Sequence, residues 1–205
     1  MASLLIFVTL LHLVILAVLF IATMEKFWWV WDDTESSDLW YNCRFDNETE
    51  GWFCATSDET GKTIPLGFKH LPLLLLMFAL KEIWELNALV VVQGECFSPS
   101  EWLQAVQVLM VLSVVFSGIS FLVFLGQLFT MSKGGLFYLT GVCQVFAGLN
   151  DFTASLIYTL HYKEILKDSR ELSSGHFGFC FVLAWVCVPL LLCSGILYIH
   201  LRKRE

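Results

Sequence analysis

Four long stretches of apolar residues constrain this chain more than any other feature of its sequence. They lie at 2–24, 102–131, 136–160 and 177–201, and Asp151 is the one Asp, Glu, Lys or Arg within them. A helix of about 20 apolar residues spans a hydrocarbon core roughly 30 Å thick. Because 57% of the residues are hydrophobic and 15% are charged, the composition also differs from that of soluble domains. The sequence therefore predicts an integral membrane protein with four spans.

An alternative interpretation of residues 2–24 is a cleaved signal peptide. It lacks a basic segment before the apolar residues, and it is longer than the 7–15 apolar residues typical of such a peptide. We therefore expect residues 2–24 to remain as the first span.

The basic residues predict the orientation, because short cytoplasmic loops and tails retain Lys and Arg. The C-terminal LRKRE and the turn at 132–135 hold four basic residues, whereas 25–101 holds fourteen acidic and five basic residues. Four spans place both termini on the same side. We expect both termini in the cytosol and 25–101 outside.

The outer loop contains two cysteines and a glycosylation triplet. Extracytoplasmic loops are oxidised, so Cys43 and Cys54, 11 residues apart, are the natural disulfide pair. Asn47 opens the acceptor triplet Asn-Glu-Thr, which is modified on the lumenal side of the membrane. The sequence predicts a disulfide-closed and glycosylated loop.

The same loop carries a recognisable arrangement of residues. A tryptophan precedes a Leu-Trp pair and two cysteines, and these positions are matched by Trp28 or Trp29, Leu39, Trp40, Cys43 and Cys54. Together with the stretches WLQAVQVLMVLS, GQLFTMSKGGLFYLTG and YIHLRKRE, this pattern resembles the epithelial membrane protein and peripheral myelin protein family of the claudin-like superfamily. The resemblance implies an all-α membrane protein, a four-transmembrane-helix bundle with a small extracellular antiparallel β-sheet. FWWVWDD and DLWYNC are the expected strand segments.

The resemblance also implies a function. Members of this family act in cell–cell contact and membrane organisation, and they influence proliferation, membrane blebbing and cell death. The implied partners are the lipid bilayer and other membrane proteins at the plasma membrane: further copies of the chain, its relatives or a purinergic receptor channel. The alternative is a pore-forming or channel-modulating protein.

Enzymatic and nucleic-acid functions find little support in the sequence. It shows no nucleophile beside a base, no metal-ligand spacing and no glycine-rich phosphate loop. The net charge is −7, and the only basic patch is the tail, which argues against nucleic-acid binding. We expect no cofactor and no catalysis.

Residues 60–101 do not fit the family pattern, and they lengthen the chain by about forty residues relative to it. Charged residues divide the apolar part into pieces too short to cross a bilayer. We interpret the segment as an insertion with a helix at about 71–91 on the membrane surface or the outer loop. The alternative is an added exon or gene-prediction error without an evolved role.

The insertion leaves a second pairing open for Cys43. Cys96 keeps the family's distance from the second span, whereas Cys54 keeps the family's spacing from Cys43. We favour Cys54, because a short loop closes more easily and Trp52 beside it fits the family. We expect Trp40 to point inward and Trp52 to be the more exposed.

The predicted spans contain a few polar residues. An ionisable group at this depth costs at least about 2.5–3.5 kcal/mol and usually has a function, so Asp151 beside Asn150 is a candidate site. The alternative is a protonated Asp151 hydrogen-bonded to a neighbouring helix. His12 is expected to form a neutral interhelical hydrogen bond. The cysteines of the third and fourth spans are expected to be small packing residues: Cys143, Cys180, Cys187 and Cys193.

Overall fold

The computed structural model describes residues 2–31, 35–46, 51–56, 99–130, 135–166 and 175–202. Four helices account for most of them: α1 (Ala2–Met24), α2 (Pro99–Thr130), α3 (Gly135–Ile165) and α4 (Phe179–Arg202). Each helix packs against the next in the chain, and α4 packs against α1 to close the ring. The predicted four-helix bundle is confirmed.

Three of these helices are long and apolar enough to cross a membrane by length and composition, over Ile6–Met24, Glu101–Leu128 and Phe179–His200. The helix α3 falls outside this set because Gln144, Asn150 and Asp151 lower its hydropathy. It is nevertheless 31 residues long, about 46 Å at 1.5 Å per residue. Its exposed face is apolar, with Leu139, Phe146 and Leu160 pointing outward.

The core lies along the axis of the bundle and contains residues from all four helices. It includes Ile15 and Leu19 from α1, Met110 from α2, Ala147 from α3 and Leu191 from α4, all fully buried. Small residues let α3 approach α4 closely. A Cβ added at Gly195 would lie 3.0 Å from the carbonyl oxygen of Gly141, so the two backbones meet at these glycines.

A five-stranded sheet covers the end of the bundle where α1 ends and α4 begins, which we call the sheet end. Its strands are β1 (Trp29–Trp31), β2 (Glu35–Ser37), β3 (Tyr41–Asp46), β4 (Gly51–Thr56) and β5 (Gly175–Phe177). The order is β4-β3-β2-β1-β5, and every neighbouring pair is antiparallel. The segments FWWVWDD and DLWYNC supply β1 and β3, as predicted.

One strand of the sheet was not predicted. The two expected strand segments lie in the first outer loop, whereas β5 comes from the connection between α3 and α4. It pairs with β1, where Trp29 faces Phe177 and Trp31 faces Gly175. Without β5, the backbone of β1 would form an unpaired sheet edge, which folded proteins generally cover.

Several predictions fall outside the described residues. These are the glycosylation of Asn47, the surface helix at 71–91, the partner of Cys96, and the exposure of the Trp52 side chain.

Candidate functional site at the sheet end and in the bundle interior

A disulfide closes the hairpin of β3 and β4, which forms one edge of the sheet. Cys43 on β3 lies directly opposite Cys54 on β4, and the two are joined by a disulfide bond with a Cα–Cα distance of 4.0 Å. The favoured pairing is therefore confirmed. A disulfide stabilises chiefly by restricting the unfolded chain, so this bond fixes the register of the two longest strands.

Trp28 anchors the beginning of the sheet in the bundle. Its side chain is fully buried, and its indole N–H donates to the carbonyl oxygen of Ala22, at 2.7 Å. Its ring contacts those of Tyr158 and Phe181, with centroid distances of 4.9 and 5.9 Å. A tryptophan fits this position because it fills apolar space and also satisfies a free carbonyl at the end of α1.

Trp29 belongs to a second aromatic cluster on the underside of the sheet. Its ring stacks on Tyr162 of α3 at 5.1 Å and contacts Phe177 of β5 at 5.0 Å. The backbone of Gly175 passes so close that an added Cβ would lie 2.2 Å from the indole nitrogen of Trp29. The cluster joins the first outer loop to the connection between α3 and α4. It requires glycine at position 175, because a side chain there would overlap the indole.

Leu39 and Trp40 form the second junction between sheet and bundle. Leu39 is fully buried, and its carbonyl oxygen accepts a hydrogen bond from the side-chain amide of Gln107 on α2. The indole N–H of Trp40 donates to the carbonyl oxygen of Thr23, at 3.0 Å. Trp40 is thus directed inward, as predicted. The four signature residues serve as anchors of the sheet.

Asp38 holds the turn that presents Leu39 and Trp40, and it was not among the residues predicted from the sequence. One carboxylate oxygen accepts hydrogen bonds from the backbone N–H groups of Trp40 and Tyr41, each at 2.5 Å. The side chain is 3% exposed, and burial raises the pKa of Asp38 to about 6, although the two backbone bonds oppose this rise. An aspartate that bonds backbone two and three residues ahead is a known turn signal, so the position beside Leu-Trp could have revealed it.

His12 connects the helices in the half of the bundle that lies away from the sheet end. It is fully buried; its Nδ1 lies 2.9 Å from the hydroxyl oxygen of Tyr198 on α4, and its Nε2 lies 3.1 Å from the carbonyl oxygen of Ser117 on α2. The hydroxyl of Ser117 in turn donates to Gln144 on α3, at 3.4 Å. The predicted interhelical hydrogen bond is confirmed and extends across all four helices. We call these four residues the His12 clasp.

Among the described residues, Asp151 does not make the interhelical hydrogen bond that the alternative interpretation requires. Its side chain is fully buried, and neither carboxyl oxygen has a hydrogen-bond partner among the described residues. Cys187 of α4 lies within electrostatic range of this carboxyl group. Asn150 is only half-buried beside it. Burying a carboxyl group without a hydrogen-bond partner is costly.

The free cysteines divide into two classes. Cys180 and Cys187 are buried in the core and pack there as predicted. Cys143 is half-buried, and Cys193 is exposed on α4, so these two do not fit the prediction of core packing.

Comparison with known proteins agrees with this architecture. The sequence profile of the PMP-22/EMP/MP20/Claudin family matches residues 1–67 and 70–198, which include most of the segment interpreted as an insertion. Human epithelial membrane protein 3 is 42% identical over 205 residues, covering all of both chains. Bovine epithelial membrane protein 2 is 33% identical over 209 residues, again covering both chains fully. Mouse epithelial membrane protein 1 is 43% identical over 102 residues, half of this chain and 62% of the relative. The bundle, the disulfide-closed sheet and these matches together show that the chain belongs to the PMP-22/EMP/MP20/Claudin family of membrane proteins.

Proposed function

We propose that this chain is a non-enzymatic protein of the plasma membrane that organises contacts between membranes and between membrane proteins. Its four helices span the bilayer, both termini are cytosolic, and the sheet faces outside. Through partner membrane proteins it influences proliferation, blebbing and cell death. The candidate partners are further copies of the chain, its relatives and a purinergic receptor channel.

The observation that carries this proposal is the way the sheet is fixed to the bundle. Trp28 and Trp40 each donate a side-chain hydrogen bond to a carbonyl at the end of α1, and Gln107 of α2 bonds the carbonyl of Leu39. A surface that is held rigidly loses little conformational entropy on binding. The sheet is thus suited to recognising a partner.

The geometry favours this role over a pore. The His12 clasp ties residues of all four helices across the axis of the bundle. Its Tyr198 packs in a buried cluster with Val8, Phe124 and Phe137. A pore would instead give a steady conductance in a planar bilayer that disappears on Asp151→Ala, and we expect no such conductance.

Cysteine variants test the interaction role. Cys43→Ser and Cys54→Ser should insert into the membrane but lose partner co-purification to the same extent, because either change opens the hairpin. Cys193→Ser is the matched control, since this thiol is free and lies on α4. Surface delivery, measured in parallel, separates a trafficking defect from a binding defect.

Two outcomes would contradict the proposal or its structural basis. Unchanged co-purification of the two hairpin variants at equal surface delivery would exclude the sheet as the binding surface. If Cys54→Ser leaves partner co-purification unchanged and Cys96→Ser reduces it, Cys96 is the disulfide partner of Cys43.

A further inference from the structure

Buried polar groups without hydrogen-bond partners line one face of α3. They are both oxygens of Asp151, the hydroxyl of Ser155 and the hydroxyl of Tyr158, and each of these side chains is at most 1% exposed. Spacings of four and three residues place all three on the same helix face. Buried polar atoms are normally paired, so three exceptions on one face indicate that this face has a role beyond packing.

The surroundings of Asp151 indicate what that role is. On α4 the titratable group that faces it is Cys187, on which the charge of Asp151 acts. On α1 the titratable side chain is His12, engaged with Ser117 and Tyr198, and α2 carries none from 102 to 130. None of the described helices therefore offers a basic side chain to neutralise this carboxylate. A bound proton removes the charge without such a partner.

A polar route leads from Asp151 to the sheet end. Tyr158 lies seven residues further along α3, about 10 Å at 1.5 Å per residue, and tyrosine side chains on helices lean back toward the preceding turn. Its ring contacts that of Trp28, at 4.9 Å, and it lies within electrostatic range of Asp38. Ser155 lies between Asp151 and Tyr158 on the same helix face, so a proton that moves along this face would need bridging water molecules between the three groups.

Asp38 completes the route at the boundary of the bundle. Its second carboxylate oxygen is buried and has no partner in the described part of the chain. The groups that act on it are Glu25 and Lys26 after α1, Tyr158 on α3 and Cys180 on α4. With a pKa of about 6, its carboxyl takes up and releases protons in a mildly acidic range.

We propose that Asp151 is a reversible proton-binding site that exchanges protons with the aqueous phase at the sheet end through Ser155, Tyr158 and Asp38. A hydronium ion gives its proton to the carboxylate, which forms a carboxylic acid and leaves one water molecule. The His12 clasp lies beyond the site and separates it from the opposite end. This inference goes beyond the proposed interaction role and does not depend on it.

A metal cation fits these groups less well. Hard cations such as Ca²⁺ take six or more oxygen ligands, whereas Asp151 and Ser155 provide three oxygens and Cys187 faces them with sulfur. The described residues also hold no cluster of three or more His, Cys, Asp or Glu side chains that could bind a metal. Protonation requires no such shell of ligands.

Infrared difference spectroscopy in lipid nanodiscs tests the proposal. The C=O stretch of a protonated carboxyl should titrate with pH, disappear in Asp151→Asn and shift to lower frequency after transfer to D₂O. In Tyr158→Phe, which removes the hydroxyl from the route, the shift should be about tenfold slower, a factor that corresponds to about 1.4 kcal/mol in the barrier to exchange. Tyr198→Phe is the matched control, because it removes the same atom from the His12 clasp and should leave the exchange rate unchanged.

Other spectroscopic results would contradict the proton-binding site. A protonated band that never exchanges, or equal rates in Tyr158→Phe and wild type, would show a sealed structural acid and overturn the proposal. Loss of the band when sodium replaces choline at constant pH would identify a cation as the occupant instead. If Asp151→Asn does not fold, Asp151→Glu assigns the band by moving it.

Discussion

Single aromatic and acidic residues fix the orientation of the sheet on the bundle. The indole N–H groups of Trp28 and Trp40 donate hydrogen bonds to carbonyl oxygens at the end of α1 that have no partner within the helix. Asp38 holds the turn between β2 and β3. Each of these residues combines apolar surface or burial with one directional bond. Their roles therefore depend on both the residue type and its position.

Asp38→Asn should change the pH dependence of stability. Burial raises the pKa of Asp38 from 3.8 to about 6 in the folded protein, so the folded state binds this proton more tightly than the unfolded chain. Its contribution to stability is fully present below the unfolded pKa and is lost as pH rises through about 6. The amide of Asn can still accept the bonds from Trp40 and Tyr41.

Thermal unfolding at a series of pH values measures this effect. We expect the wild type to lose stability relative to Asp38→Asn as pH rises between the two pKa values, and the variant to be at least as stable at neutral pH. Parallel pH profiles for the two proteins would show that Asp38 does not titrate in this range.

At the scale of elements, β5 depends on close backbone contact with the aromatic cluster beneath it. In Gly175→Ala, the new Cβ would overlap the indole of Trp29, which lies 2.2 Å from that position. We expect β5 to separate from β1 and the unfolding temperature to fall. Gly118→Ala is the matched control, because an added Cβ there meets nothing within 4 Å; an equal loss in both variants would contradict the argument.

The four helices are also joined by the His12 clasp, and a double-mutant cycle measures its strength. His12→Leu and Tyr198→Phe each break the hydrogen bond between Nδ1 of His12 and the hydroxyl of Tyr198. The free energy of unfolding should therefore fall by less in the double variant than the sum of the two single losses. Hydrogen bonds between membrane helices contribute about 0.6 kcal/mol on average and up to about 1.7 kcal/mol. Additive losses in unfolding experiments would mean that the two side chains do not interact.

At the scale of the whole molecule, the asymmetry of charge predicts how the chain lies in the membrane. The segment 25–101 carries fourteen acidic and five basic residues, so we expect it outside and glycosylated at Asn47. Asn47→Gln should remove one glycan and its gel shift, whereas Thr49→Ser preserves the triplet and should keep it. A glycan that persists in Asn47→Gln would contradict the predicted topology or the choice of acceptor.

Sequence alone determined the elements that depend on local composition. The helix bounds follow from runs of apolar residues, because an apolar helix satisfies its own backbone hydrogen bonds wherever it lies in the membrane. The disulfide between Cys43 and Cys54 and the inward direction of Trp40 could also be predicted, because the spacing of the signature residues resembles that of a family.

Tertiary structure decided whatever depends on residues far apart in the chain. The pairing of β5 with β1 joins positions almost 150 residues apart, and periodicity carries no information about such a pair. The isolation of Asp151 depends on what the other helices place beside it. A buried carboxyl has the same sequence signature whether its neighbours are polar or apolar, so only the packed bundle shows that Asp151 has no protein partner among the described residues.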